Sequence, residues 1–192
     1  MPRAYNSFKH LQRDFYAALR FTTTGSSTVS FATPPAFVTS LGFSICAWVQ
    51  SNGSFSVAIQ QIYQNIAASG TPPQFRITTA GALELLPRGG GSSLSGGAIP
   101  RGEWTHVACT WDNVTATHAL YINGEIVASG TGTYAAGAFS QPADANIAMN
   151  TTSFASRLAL WGYPLTQAQV RADMYSWTAP APLAPYELNQ GS

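Results

Sequence analysis

The sequence predicts an all-β chain folded as an antiparallel sandwich, and three observations carry that prediction. Apolar and polar residues alternate over many short runs, the period of a half-buried strand. Clusters rich in Gly, Pro, Asn and Ser separate those runs. Strand-like runs follow one another without the regularly interspersed helices that a parallel sheet requires.

Before the first strand, Phe8, Leu11, Phe15, Ala18 and Leu19 recur near helical spacing. Residues 5–19 therefore read as a short helix, or equally as an arm packed on a neighbouring surface. From Leu19 the pattern is β: ALRF and STVSF flank a TTTGSS turn, and Pro34 and Pro35 interrupt. The next strand runs from Phe43 to Val49, with Phe43, Ile45, Ala47 and Val49 on one face. Val57 to Ile66, Gln74 to Thr78 and Ala82 to Leu86 follow, whereas Pro87 to Gly97 (PRGGGSSLSGG) has the composition of a flexible surface loop. Glu103 to Trp111 alternates Trp104, His106, Ala108 and Thr110 against Thr105, Val107 and Cys109.

Ala119 to Ile122 turns through Asn123-Gly124 into Glu125 to Ala128, the firmest hairpin signal in the chain because both turn residues tolerate positive φ. Asn146 to Met149 and Phe154 to Trp161 complete the strands, the latter offering Phe154, Leu158 and Leu160 to a core. Thr166 is a helix N-cap, and the helix it starts runs through Ala172 or Met174. Pro180, Pro182 and Pro185 make the tail an extended strap or a disordered end. The organisation is thus an arm over 1–18, one sandwich over 19–178 and a Pro-rich tail over 179–192.

Only 9% of residues are charged, far below the usual value of about 25%, and nine Lys and Arg stand against eight Asp and Glu. No basic cluster offers phosphate contacts, so nucleic acid is not an expected partner. No run approaches the ~18 apolar residues of a membrane span, so no membrane insertion is expected. The first residues carry Lys9, Arg13 and Asp14 and do not read as a secretory signal. A surface so poor in charge suits a protein outside the cytoplasm, or one covered by copies of itself.

The two cysteines, Cys46 and Cys109, each lie in a strand-like run ending near a Trp. Taken alone they read as a cross-strand disulfide or as two buried free thiols. A wider pattern bears on the choice: FSICAWV (43–49), GEWTHVACTWD (102–112), ALYINGEIVASG (119–130), NIAMN (146–150) and FASRLALWGYPLTQAQVRADMY (154–175). In order and spacing these resemble the laminin G-like and pentraxin-like domains of the concanavalin A-like jelly rolls, over roughly Leu19 to Tyr175. The resemblance implies a jelly-roll β-sandwich with a short helix after the closing strand. It also implies that Cys46 and Cys109 form the intradomain disulfide of pentraxins, in an oxidising setting, extracellular or on a virion surface.

The resemblance further implies calcium, which pentraxins hold on an acidic and amide cluster before the closing strand. The corresponding segment here, Asn150 to Ser153, has no carboxylate, so Asp144, Asn146 and Asn150 are the residues left to ligate the ion. No cofactor is expected, since a calcium ion would have to rest on those three residues alone. Enzymatic parts are missing: Glu84, Glu103 and Glu125 form no paired-carboxylate motif, and no nucleophile elbow is present. His10, His106 and His118 have no metal-ligand spacing. Trp48, Trp104, Trp111 and Trp161 are read as core packing.

Carbohydrate recognition needs exposed aromatic faces beside amides or Arg, which Tyr63, Tyr134, Tyr163 and Trp177 with Asn65, Gln141 and Arg157 could supply. Asn52, Asn113 and Asn150 head glycosylation sequons, which matter only in a glycosylating host. Two functions follow. One is a non-enzymatic recognition module for a glycan or cell-surface protein, working within a homo-oligomer. The other is a structural, self-assembling subunit of a virion, capsid surface or appendage.

Overall fold

A computed structural model describes residues 19–21, 27–31, 42–51, 59–65, 74–86, 93–132, 145–149 and 153–176. Its strands are β1 (Leu19–Phe21), β2 (Ser27–Phe31), β3 (Gly42–Ser51), β4 (Gln60–Asn65), β5 (Gln74–Ile77), β6 (Ala82–Leu86) and β7 (Leu94–Ala98). They continue as β8 (Thr105–Asp112), β9 (Thr117–Ile122), β10 (Glu125–Thr131), β11 (Ala145–Met149) and β12 (Ser153–Trp161), followed by helix α1 (Gln167–Tyr175). Two six-stranded sheets result, ordered β1-β12-β3-β8-β9-β10 and β2-β11-β4-β5-β6-β7, with every strand pairing antiparallel. This is the expected all-β sandwich with one helix after the last strand. The expected arm (1–18) and tail (179–192) lie outside the described residues.

Alternation fills the space between the sheets. Phe43, Ile45, Ala47 and Val49 of β3 and Val107, Cys109 and Trp111 of β8 meet Ile62, Tyr63, Phe75, Ile77, Leu83 and Leu85 from the second sheet. At one end of the core Gln60 Nε2 donates to Ser51 Oγ (3.1 Å) and Ser153 Oγ donates to Gln60 Oε1 (3.3 Å). These buried polar groups satisfy one another and link strands of both sheets.

Pro87 to Gly97 was expected to be loop throughout, but its last residues form the edge strand β7, paired with β6. The reason lies across the sandwich. A Cβ on Gly96 would come within 2.7 Å of Ala128 Cβ, and one on Gly97 within 2.6 Å of Ile122 Cδ1. The glycines that suggest looseness are there so that the edges of the two sheets can close on each other. The Asn123-Gly124 hairpin forms as expected, with φ of 50° and 77°.

The β8–β9 turn is tighter than the sequence suggests. Asp112 Oδ1 accepts from the amides of Val114 (2.8 Å) and Thr115 (3.1 Å). Burial is the largest single influence on the Asp112 carboxyl and raises it, but hydrogen bonds from the Thr115 side chain and the Thr115 and Val114 amides together outweigh it and hold the carboxyl low. Asn113, head of a sequon, accepts from Trp111 Nε1 at 2.7 Å. Behind this turn the His118 ring stacks flat on Trp111, centroids 4.4 Å apart, and its buried Nδ1 has no hydrogen-bond partner.

Burial lowers the His118 pKa, because the protonated ring would lose its hydration there. A histidine held below its unfolded value stabilises the fold fully above that value, about 6.5, and the contribution is lost as pH falls through it towards the folded pKa. We therefore expect the melting temperature to decline from about pH 7.5 to pH 5, and to decline less in His118→Phe. Parallel melting curves for the two proteins across that range would remove His118 as the cause.

Candidate functional site

Two polar clusters stand out, one on the outer face of each sheet. On the second sheet, alternation points Phe75, Ile77, Leu83 and Leu85 inward, leaving Gln74, Arg76 and Glu84 on the outer face. A bulge after Gln61 turns both Ile62 and Tyr63 inward and keeps Gln61 opposite Arg76. The outcome is a ladder across β4, β5 and β6. Gln61 Nε2 donates to Gln74 Oε1 (3.3 Å), Arg76 Nη1 donates to the same oxygen (2.9 Å), and Arg76 Nε donates to Glu84 Oε2 (2.7 Å). Gln61 Oε1 is buried without a partner, an acceptor left over within the ladder. Amides beside a paired Arg and carboxylate offer the donors and acceptors that hydroxyl-rich ligands require.

On the first sheet, α1 covers a cluster drawn from four elements. Thr166 caps the helix through a reciprocal capping box with Gln169. Ser44 Oγ donates to the Tyr163 carbonyl (2.9 Å) and accepts from the Leu165 amide (2.8 Å), fixing the approach to the helix. The far side is tied to the β9–β10 hairpin, where Gln167 Nε2 and Arg171 Nε both donate to the Gly124 carbonyl. Val170, Asp173 and Met174 are thereby pressed onto the sheet.

A β12 bulge, with Arg157 at φ 44°, sends the Arg157 guanidinium beneath the helix. Its Nη2 donates to Asp173 Oδ1 (3.1 Å), and its Nη1 to the Asp173 carbonyl (2.9 Å) and Ser176 Oγ (2.6 Å). The other oxygen, Asp173 Oδ2, faces His106 Nε2 at 3.3 Å. Cys46 completes the group: its sulfur, the histidine nitrogen and the carboxylate oxygen all lie within 4.8 Å of one another, and all three residues are buried. Burial first, then the Asp173 charge, pushes the Cys46 thiol well above its ordinary pKa.

The expected disulfide does not form. Cys46 and Cys109 are free thiols. Register is the reason: Cys109 sits opposite Ile45, and Cys46 opposite Ala108. Residues directly opposite share a face, so this one-residue offset turns the two sulfurs to opposite sides of the sheet. Cys109 joins the inter-sheet core and Cys46 joins the layer under α1.

Of the expected ligand residues, Tyr63, Arg157 and Tyr163 have described side chains. Tyr63 is fully buried, and burial pushes its phenol pKa up, so its ring is core and not a glycan platform. Arg157 is 8% exposed and committed to Asp173, which removes it from a surface site as well. Tyr163 is half-buried, its ring edge-on to Trp161 at 5.8 Å. Asn65 ends β4, and Asn146 lies inside β11, paired with Ser30 and Gln64. Tyr134, Gln141, Trp177, Asp144 and Asn150 lie outside the described residues. Gln61, Gln74, Arg76 and Glu84 share no sequence motif, and the alternation of β5 and β6 is the signal that places three of them on one face. His106 and Asp173 are 67 positions apart and carried no signal at all.

Residues 23–171 match a laminin G family model described as the concanavalin A-like lectin/glucanases superfamily, and the chain belongs to that family. No curated protein sequence matches it significantly. Among solved structures, a native heptameric SAP-like pentraxin from Limulus polyphemus is similar at 18% identity and a TM-score of 0.62, over 80% of this chain and 79% of the pentraxin. A botulinum neurotoxin type C structure, described with cell entry dependent upon interaction with two ganglioside molecules, aligns at 13% identity and a TM-score of 0.66. That match covers 84% of this chain and 43% of the toxin chain. A Trypanosoma rangeli sialidase aligns at 13% identity and a TM-score of 0.57, over 80% of this chain and 26% of the sialidase. The higher scores thus go to the pentraxin and the toxin chain rather than to the sialidase. Among the described residues, no helix is long and apolar enough to cross a membrane.

Proposed function

We propose that the chain is a non-enzymatic recognition module that binds carbohydrate on the outer face of the second sheet, within a homo-oligomer outside the cell or on a virion surface. The observation that carries this reading is the Gln61–Gln74–Arg76–Glu84 ladder with its spare buried acceptor. Low charge agrees with a ligand read through amide and hydroxyl hydrogen bonds more than through ion pairing. The family supplies lectins, and one similar structure comes from a toxin whose entry involves gangliosides. Catalysis draws no support from the described acids. Glu84 is engaged by Arg76, Asp173 lies under the helix of the other sheet, and Glu125 pairs at the surface with Arg171.

The test is a glycan array probed with the wild-type protein, with and without a calcium chelator, followed by titration of the best ligand. Arg76→Ala, which removes charge-assisted hydrogen bonds worth about 1.5–3 kcal/mol, is expected to weaken binding by about tenfold to 100-fold. Arg171→Ala, on the helix that covers the other sheet, is expected to leave it unchanged. A protein that binds no glycan, or binds one equally after Arg76→Ala, defeats this assignment. Loss of binding on chelation would move the ligand to a calcium centre instead.

The second reading, a self-assembling structural subunit, draws on the same composition, because a surface with 9% charged residues gives copies little reason to repel. It also has a precedent in the heptameric state of the similar pentraxin. Light scattering tests assembly in both readings: a monomer at micromolar concentration removes the structural subunit and the homo-oligomer alike, and leaves only carbohydrate recognition by the single chain.

A further inference from the structure

We propose that Cys46, His106 and Asp173 form a zinc site that staples α1 to the first sheet. The donors come from β3, β8 and α1, so one ion would join three elements distant in sequence. A tetrahedral zinc with nitrogen or oxygen ligands at about 2.0–2.1 Å sets those ligands about 3.3–3.4 Å apart, and sulfur at about 2.3 Å lengthens its edges slightly. His106 Nε2 and Asp173 Oδ2 are 3.3 Å apart. That is long for a charge-assisted hydrogen bond, usually about 2.7–2.9 Å, and it equals the edge of the tetrahedron.

The surroundings fit as well. Asp173 Oδ1 is held by Arg157 Nη2, so the carboxylate is oriented by one oxygen while the other is offered to the ion. Thiolate and imidazole exclude calcium and magnesium, which take oxygen ligands, and favour zinc among the common divalent ions. Three protein ligands leave a fourth position for water.

The balance of charge makes a specific demand. Without metal the group holds a neutral thiol, an imidazole and the Arg157–Asp173 pair. Zinc replaces the Cys46 proton, which passes to solvent, and the group then carries one added positive charge. Uptake must therefore release a proton and tighten as pH rises.

The experiment uses the full chain, stripped with chelator and titrated with Zn²⁺ and with Co²⁺ as a spectroscopic stand-in. The expected result is one equivalent bound per chain, a thiolate-to-cobalt charge-transfer band, proton release and a rise in melting temperature with zinc. Cys46→Ala is expected to abolish the band and to weaken zinc binding by more than the roughly 10- to 100-fold seen on losing an outer-shell partner. Cys109→Ala, on the other face of the sheet, is expected to keep the band. Should Cys46→Ala fail to fold, the wild-type protein decides: zinc must protect Cys46 from alkylation under mild denaturation and leave Cys109 unprotected. No uptake, no thiolate band, or equal binding by Cys46→Ala overturns the site. The ladder lies on the opposite sheet, so glycan binding and zinc binding fail independently.

Discussion

Replacing Asp173 by Ala is expected to cost about 3–5 kcal/mol of folding stability, the range for removing one partner of a buried ion pair. The reason is the position of Arg157, whose side chain is 8% exposed and whose guanidinium loses its counter-charge while it stays largely shielded from water. Two further bonds hold Arg157 to the end of the helix, at the Asp173 carbonyl and Ser176 Oγ. They neutralise no charge, so the cation stays buried and unmatched. Removing both charges together, in Arg157→Met/Asp173→Leu, is expected to recover a large part of the loss, since two apolar groups can replace a buried pair. Urea unfolding of the wild type, the two single variants and the double variant, all in chelator, measures the coupling. An Asp173→Ala loss below about 1 kcal/mol would mean that the pair behaves as a solvated surface bridge.

Trp111→Ala is expected to cost a comparable 3–5 kcal/mol, the usual range for truncating a large buried aromatic. Trp111 is 2% exposed within the inter-sheet core and is also the platform for His118. Its Nε1 donates to Asn113, so truncation also loosens the turn that Asp112 holds with two amides. Trp111→Phe keeps a ring in the core and is expected to recover more than half of the loss, leaving the Asn113 acceptor to solvent. Chemical denaturation with an unchanged m-value would attribute the difference to stability and not to a change in the unfolded state. Equal losses for the two variants would place the cost in the hydrogen bond and not in the packing.

These two side chains mark how far sequence reasoning reached. Trp111 was legible as core because β8 alternates. That alternation also put Cys109 with Val107, while β3 set Cys46 on the face away from Ile45. The opposed faces were therefore present in the two patterns, but only the pairing of Ile45 with Cys109 established that the sulfurs point apart. The family resemblance supplied the right fold and the wrong bond. Asp173 was a residue of a short helix, with no sign that Arg157 and His106 awaited it. The polar ladder was half legible: its β5 and β6 members follow from alternation, whereas Gln61 depends on the bulge that turns Ile62 and Tyr63 inward.

By itself the sequence determined the antiparallel sandwich, the Asn123-Gly124 hairpin and the Thr166 cap. Each rests on dihedral preferences and periodicities that act within a few residues. Only the tertiary structure decided the register of β3 on β8, the β12 bulge at Arg157, the β7 edge strand hidden in a glycine-rich segment, and the meeting of Cys46, His106 and Asp173. The physical reason is range. Register and bulges are set by which distant side chains share a layer once the sheets close, and a single-residue step carries a side chain to the opposite face.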